Sequence, residues 1–335
     1  MKTTVNKFQF VVLALFAVIT FSACEKEERL EEAPIADMGM RLNQEPDSFD
    51  LDDNWTLSQS NVQRQMISFG SSAGDSAEFF TAAGMEQSKK PMVILAPGGA
   101  FLRYNEQNRL RVYANHLAQQ GINVALMYYT IGSQNFNIYT QANQDLRSAV
   151  RYFKLNADLY EIDSANVFVG GWSSGAIVAL GTAHFEEHEV NNIPSTLSRQ
   201  GMINAINTHG FDNGDNLGAS SKVRGVIAMF AFVFDTAMVD QGGPATMLIN
   251  HHQSTSANGQ KVVGSFAINV PNAGSIQYFG TDLISQRARN QGYVDGQNLE
   301  YLRLSGPSPY KGYNEASLDL KHLEAITNFI RRNTI

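Results

Sequence analysis

Ser173 stands where a serine can be made reactive. It lies in Gly171-Trp172-Ser173-Ser174-Gly175, directly after the apolar run Asn166–Gly170 (NVFVG). A buried strand that passes through a sharp turn into a helix pushes the middle side chain out at the helix N-terminus, and glycines on either side keep the turn free of side chains. The unpaired first-turn amides and the helix dipole there favour negative charge developing on an attacked carbonyl. A second small-residue stretch, Pro97-Gly98-Gly99-Ala100-Phe101, follows the apolar run Met92–Ala96 (MVILA). Small side chains let backbone N–H groups approach a substrate oxygen, so Gly99, Ala100 and Ser174 are the expected donors to the oxyanion of a tetrahedral intermediate. The chemistry these residues suit is acyl transfer to Ser173.

Such a serine needs a strand behind it and a helix ahead of it. Strands are expected at Val62–Phe69, Ala77–Phe80, Met92–Ala96, Val124–Tyr129, Asn166–Gly170, Val223–Phe232, Thr246–Asn250 and Leu299–Leu304. Helices are expected at Asn105–Gln120, Gln141–Leu159, Ser174–Glu187, Asp282–Asn290 and Leu318–Arg332, each with apolar residues at helical spacing or a nucleophile-helix position. Alternating strands and helices imply right-handed crossovers and a mainly parallel sheet of roughly eight strands. The polar, Asn- and Gly-rich stretch from about 189 to 221 shows no sustained period and reads as an insertion after the nucleophile helix, a possible cap over the active face. Asp145 and Arg151, on the helix preceding the serine strand, are expected to be structural.

The segments APGGAF (96–101), NHLAQQGINVALMYY (115–129) and QDLRSAVRYFKLNADLYEIDSANVFVGGWSSG (144–175) together resemble hormone-sensitive-lipase-like and acetyl/feruloyl carbohydrate esterases. The likeness runs from about Lys90 to Leu180 and fades beyond. It implies an α/β-hydrolase three-layer sandwich, a serine, acid and histidine in that chain order, and hydrolysis of small carboxylic esters without a cofactor. The second half departs from the pattern. Where the resemblance places His-Gly-x-x-Asp, the chain reads Asn250-His251-His252-Gln253-Ser254, and its histidine turn is replaced by Gly306-Pro307-Ser308-Pro309. His251, at a strand end, and His322, inside the terminal helix, are the candidate bases; Asp235 is a candidate acid, though a helix-cap or turn role suits it better. Without a base, serine is a weak nucleophile. Two functions therefore stand side by side: an active serine esterase on small esters or acylated carbohydrate, or a catalytically impaired fold kept as a surface ligand- or glycan-binding protein.

His184-Phe185-Glu186-Glu187-His188 matches H-x-x-E-H, in which two histidines four apart on one helix hold zinc. The nucleophile helix already occupies these residues and no third ligand follows, so no metal is expected.

The 335 residues are 43% hydrophobic and 17% charged, enough to bury a full core, and the net charge of −7 argues against nucleic acid as a partner. The single cysteine, Cys24, excludes an intrachain disulfide. Lys2 and Lys7 precede the apolar run Phe10–Ile19, which is shorter than the ~20 residues a membrane-spanning helix needs, and Phe21-Ser22-Ala23-Cys24 ends it with small residues. The combination resembles a bacterial lipobox: residues 1–23 are expected to be a signal peptide, Cys24 the acylated N-terminus, and 24–54 an acidic tether before a domain at 55–335. Glu25-Lys26-Glu27-Glu28 resembles the export signal of Bacteroidetes surface lipoproteins. The expected location is the bacterial outer membrane, held by that anchor. In cells, the full-length protein is expected to partition into the detergent phase and Cys24→Ala into the aqueous phase; equal aqueous partitioning of both would contradict acylation.

Overall fold

Side-chain alternation along the central strands sets up two cores. In Lys90–Ala96, Met92, Ile94 and Ala96 face one core while Val93 and Leu95 face the other. Asn123–Met127 divides in the same way, with Ala125 and Met127 on the first side and Val124 and Leu126 on the second. Strands that are apolar on both faces must be covered on both, which is the arrangement of a parallel sheet between helix layers. A computed structural model describes residues 61–71, 75–83, 89–104, 107–251, 263–270, 274–304 and 315–335. Cys24 and the segment 1–54 lie outside these residues, as do His252, Ser254 and Pro309.

The strands are β1 (Val62–Ser68), β2 (Ser76–Ala82), β3 (Lys90–Ala96), β4 (Asn123–Met127), β5 (Ile162–Trp172), β6 (Gly225–Met229), β7 (Phe232–Val233), β8 (Ala245–His251), β9 (Ser265–Val270), β10 (Gly274–Gly280) and β11 (Leu299–Leu304). The helices are α1 (Gln107–Gln119), α2 (Phe136–Leu155), α3 (Ser174–His184), α4 (Thr196–His209), α5 (Thr281–Asn290) and α6 (Glu315–Asn333). Eight strands form one sheet in the order β1-β2-β4-β3-β5-β6-β8-β11. The pairs β1–β2 and β2–β4 are antiparallel; every other neighbouring pair is parallel. Leu146, Val150 and Phe153 of α2, with Ala176–Leu180 of α3 and Ile284 and Ala288 of α5, cover one face. Leu110, Tyr113 and Leu117 of α1 cover the other with Leu323, Ile326, Phe329 and Ile330 of α6. The expected three-layer α/β architecture is the one present.

The departures have local causes. Helix α2 begins at Phe136 rather than Gln141, because Asn135 caps it by accepting from the Ile138 amide at 3.0 Å. Helix α3 stops at His184, three residues short of the expected end, where Phe185 turns extended. The expected strand Val223–Phe232 is two strands, because Phe230 takes a φ of 60° between β6 and β7 and breaks the run. The stretch 189–221 contains a short 3₁₀ turn and α4, which packs on α2 and β10. Strands β7, β10 and β9 form a second, antiparallel sheet of three strands, of which β9 and β10 were not expected. Among the described residues no helix is long and apolar enough to cross a membrane.

Glu78 secures the antiparallel side of the main sheet. Its carboxylate is 1% exposed and accepts from Arg111 of α1 at 2.7 Å, from Tyr128 Oη at 2.7 Å and from Arg64 of β1 at 2.9 Å. Burial alone would raise its pKa; the Arg111 and Tyr128 hydrogen bonds, with the charges of Arg111 and Arg64, outweigh burial and hold it below the ordinary carboxylate range. A depressed acid stabilises the fold above its unfolded pKa and loses that contribution as pH falls through the folded value. Glu78→Ala is expected to cost on the order of 3 kcal/mol at pH 7, because it strands two guanidinium groups. Urea unfolding at pH 7 and at pH 3 checks both statements: the difference between wild type and variant narrows at the lower pH.

Candidate active site

The parallel strands all end on one edge of the sheet, the edge where ligands of open α/β folds bind. Ser173 follows the end of β5 there. Its φ of 54° and ψ of −119° are unfavourable for a residue with a Cβ, and the turn is held by its amide donating to Met229 O at 2.9 Å and its carbonyl accepting from Ile177 N at 3.0 Å. The flanking glycines are required by packing. A Cβ on Gly175 would stand 2.0 Å from Ala96 O, and one on Gly171 2.5 Å from Gly175 C. Helix α3 can start directly under β3 only because neither side chain exists.

The loop after β3 meets this turn. A Cβ on Gly98 would lie 3.2 Å from Ser173 Cβ, so the loop backbone passes within contact of the nucleophile. Gly99, Ala100 and Phe101 have φ values of 129°, 56° and 64°. Three successive residues of positive φ, two carrying a Cβ, form a strained segment that surrounding contacts must hold. Gly132 N donates to Phe101 O at 2.8 Å, and the Leu102 amide donates to Gly99 O at 3.0 Å. The Ser174 amide is in the first turn of α3, where no carbonyl four residues back can accept from it. Gly99, Ala100 and Ser174 thus lie on two backbone segments that meet at Ser173.

Tyr129, unnoticed in the sequence, joins these segments. Its buried hydroxyl donates to Pro97 O at 2.8 Å and pairs with Ser174 Oγ at 3.2 Å, while its own carbonyl accepts from Tyr104 Oη. Burial keeps the phenol protonated. Its signal was a tyrosine at the end of a buried strand, where a hydroxyl must find partners. Asp145 accepts from Thr130 N at 2.6 Å; burial pushes its carboxyl up to about 6. Arg151 pairs with Asp212 at 2.6 Å and donates to Asp215 O.

The three triad candidates occupy different places. His251 ends β8 on the same edge as Ser173, with β6 between their strands; its side chain lies outside the described residues. His322 is 2% exposed on α6, its Nδ1 3.0 Å from Tyr113 Oη of α1. Asp235 caps a 3₁₀ turn, accepting from Ala237 N at 2.9 Å; burial raises its carboxyl above the usual range. The H-x-x-E-H residues do not share a helix face, because α3 ends between them. His184 is buried with Nε2 2.8 Å from Thr246 Oγ1, and burial pushes it down to about 4. His188 is exposed, 3.4 Å from Glu186. Among the described residues no three His, Cys, Asp or Glu side chains converge on a metal position.

Beside the turn is a cavity of about 290 Å³, walled by Phe101, Phe136, Ile177, Leu197, Phe234 and Tyr278 among others. Phe101 belongs to the strained loop and Ile177 lies one turn after Ser173. Gly175→Ala is expected to lower stability by about 3 kcal/mol or more, since the clash is with backbone that cannot rotate away. A denaturation midpoint equal to that of wild type would refute this account of the turn.

The chain is similar to known proteins in fold and, over part of its length, in sequence. The chain is similar to esterase 2 of the planctomycete Thermogutta terrifontis in its tabun-phosphoramylated form: TM-score 0.56 at 11% identity, over 80% of this chain and 94% of that one. The propionate-bound form of that esterase gives a TM-score of 0.55 at 12% identity over 80% and 93%. At such identities the likeness establishes the fold alone, that of an α/β-hydrolase. Endo-1,4-beta-xylanase B of Butyrivibrio fibrisolvens is 25% identical over 133 residues, 39% of this chain and only 21% of that larger protein. The BD-FAE family model matches residues 80–267, more than half of the sequence, and with the strained serine turn and its facing loop in place the chain belongs to the BD-FAE family.

Proposed function

We propose that this protein hydrolyses carboxylic esters through Ser173. The observation that carries the reading is the strained serine at φ 54°, set against a loop of three positive-φ residues. Strain of about 1–3 kcal/mol per residue is kept where it serves geometry, and we infer that here it serves to aim amides at a substrate oxygen. In the proposed reaction Ser173 Oγ attacks the ester carbonyl and a histidine takes its proton. The amides of Gly99, Ala100 and Ser174 stabilise the oxyanion. The same histidine returns the proton to the departing alcohol, and water then releases the acid from the acyl-enzyme.

His251 and His322 compete for the base. The place of His251 on the nucleophile's edge favours it; the Tyr113 contact inside the α1–α6 interface disfavours His322. Acyl groups on polysaccharide are the substrate class we favour, in keeping with the xylanase relative. We further propose that the protein works at the bacterial outer membrane, held by lipid on Cys24.

One observation favours the second reading, a fold retained for binding. His322 is the only histidine that follows β11 in the chain, and it is buried against Tyr113. A fluorophosphonate probe separates the two, since labelling requires an activated serine. Rapid labelling is expected, absent in Ser173→Ala and strongly slowed in His251→Ala, with kcat on a p-nitrophenyl ester falling on the order of 10⁶-fold in Ser173→Ala. Loss of labelling in His322→Ala instead assigns the base to that residue. No labelling of folded wild type would establish the binding reading.

A further inference from the structure

The large apolar side chains left in water are unevenly placed. Among the described residues they are Met66, Leu102, Leu155, Leu159, Leu217, Val294 and Ile335, each between 46% and 77% exposed. Leu102 sits on the catalytic edge, just after the strained loop, and Met66 lies on the outer strand β1. The other five stand at the opposite end of the sheet, where the parallel strands begin. Leu155 is the last residue of α2, and Leu159 lies in the connection from there to the start of β5. A Cβ on Gly218 would come within 3.8 Å of Leu155 Cδ2, so the backbone beside Leu217 passes that helix end. Val294 O accepts from Leu299 N, the first residue of β11, at 3.2 Å. Ile335 N donates to Asn166 Oδ1 at 3.0 Å, just before β5 joins β3 at Val167. Single exposed leucines are ordinary on a protein surface, but five of seven such side chains share one end of this sheet.

The chain carries a net charge of −7, yet the acids around these five side chains have cations beside them. Asp158 pairs with Lys89 at 2.8 Å, Glu161 with Lys90 at 3.6 Å and Asp240 with Arg287 at 3.1 Å. Asp295 pairs with Arg289 at 2.7 Å and Glu300 with Arg332 at 2.9 Å. Asp163 and the terminal carboxylate are offset by Lys154 and Lys222, which meet next to Leu155 as Lys154 Nζ donates to Lys222 O. The apolar side chains are thus set in a charge-balanced surface. The described chain also begins here. Strand β1 is antiparallel to β2 and β2 to β4, so β1 starts at the end where β4 starts. Asn61 Nδ2 donates to Ala83 O there, at 2.8 Å. Whatever holds Cys24 is therefore linked, through residues 24–60, to this end and not to the edge that carries Ser173.

We propose that this end of the sheet rests on the lipid surface to which the chain is anchored, with Leu155, Leu159, Leu217, Val294 and Ile335 in the headgroup region and the Ser173 edge turned outward. The inference rests on the reading that Cys24 carries lipid. A half-exposed leucine that leaves water gains roughly tenfold in partitioning. Contacts of this size hold a free protein weakly, but the anchor makes docking intramolecular, so the docked state is populated. The orientation bears on substrate. The open edge meets polymers arriving from the medium, while lipids of the supporting membrane lie behind the sheet.

The test uses the full-length protein from cells, reconstituted into phosphatidylcholine vesicles with and without phosphatidylglycerol. Cys24 is the single cysteine and has no free thiol once acylated, so Leu159→Cys and, on the opposite edge, Leu102→Cys each offer one site for a nitrobenzoxadiazole label. Nitroxide-bearing lipids are expected to quench the label at position 159 several-fold more than the label at 102, in both kinds of vesicle. Adding Leu155→Ser and Leu217→Ser to the Leu159→Cys protein is expected to lower the docked-to-undocked ratio roughly tenfold for each leucine, with the melting temperature unchanged because both sites are exposed. Co-flotation with vesicles but equal quenching at 159 and 102 overturns the docking and leaves the lipid anchor standing. Failure to co-float overturns both. A label at 159 that is shielded from water but not quenched by nitroxide lipid, with shielding that fades as protein is diluted in the bilayer, assigns the face to a second copy of the chain and overturns the proposal. Quenching at 159 that disappears when phosphatidylglycerol is added overturns docking on an anionic bacterial surface.

Discussion

The rest of the structure depends on how closely three backbone segments approach at the serine turn. The carbonyl of Ala96, the end of β5 and the first turn of α3 pack so that the carbonyl would stand 2.0 Å from a Cβ on Gly175. Backbone cannot rotate out of such a contact, so two glycines are needed and the path of the chain through Ser173 is forced. The unfavourable φ of Ser173 follows from that path. So does the nearness of the loop after β3, which leaves the same Ala96 carbonyl and passes Ser173 at Gly98. The local strain is tolerated because it is surrounded by two large cores whose burial is worth far more than a few kcal/mol.

Those cores explain why the site is rigid. Helices α2 and α3 seal one face, α1 and α6 the other, and the central strands expose almost nothing of their side chains. Polar groups inside this shell are paired with care. Tyr129 links Pro97 to Ser174, and Glu78 gathers two arginines and a tyrosine at the antiparallel end. Each buried polar group left without a partner would cost on the order of 1–3 kcal/mol, so these contacts define position as well as stability.

Helix α4 and the small β7-β10-β9 sheet are joined to each other through Ser195 and Ser275.

Local sequence was enough to place the eight strands of the main sheet, five of the six α-helices, the serine turn and the loop facing it, while α4 lay in a stretch that read as an aperiodic insertion. Buried parallel strands are continuous apolar runs, and a turn this tight admits only glycine beside the serine, so both leave marks in the local sequence. Only the tertiary structure decided the rest. Strands β9 and β10 pair antiparallel in a separate sheet, and Phe230 breaks the β6–β7 run by a backbone angle that its side chain does not announce. The start of α2 turned on a single cap at Asn135, and the end of α3 on the extended Phe185, which parted two histidines that sequence spacing had joined. The cavity had no sequence signature, because Phe101, Ile177, Leu197, Phe234 and Tyr278 come from five separate segments and meet only when the chain is packed. The place of His322 was decided in the same way, by Tyr113 across a helix interface more than two hundred residues away in sequence.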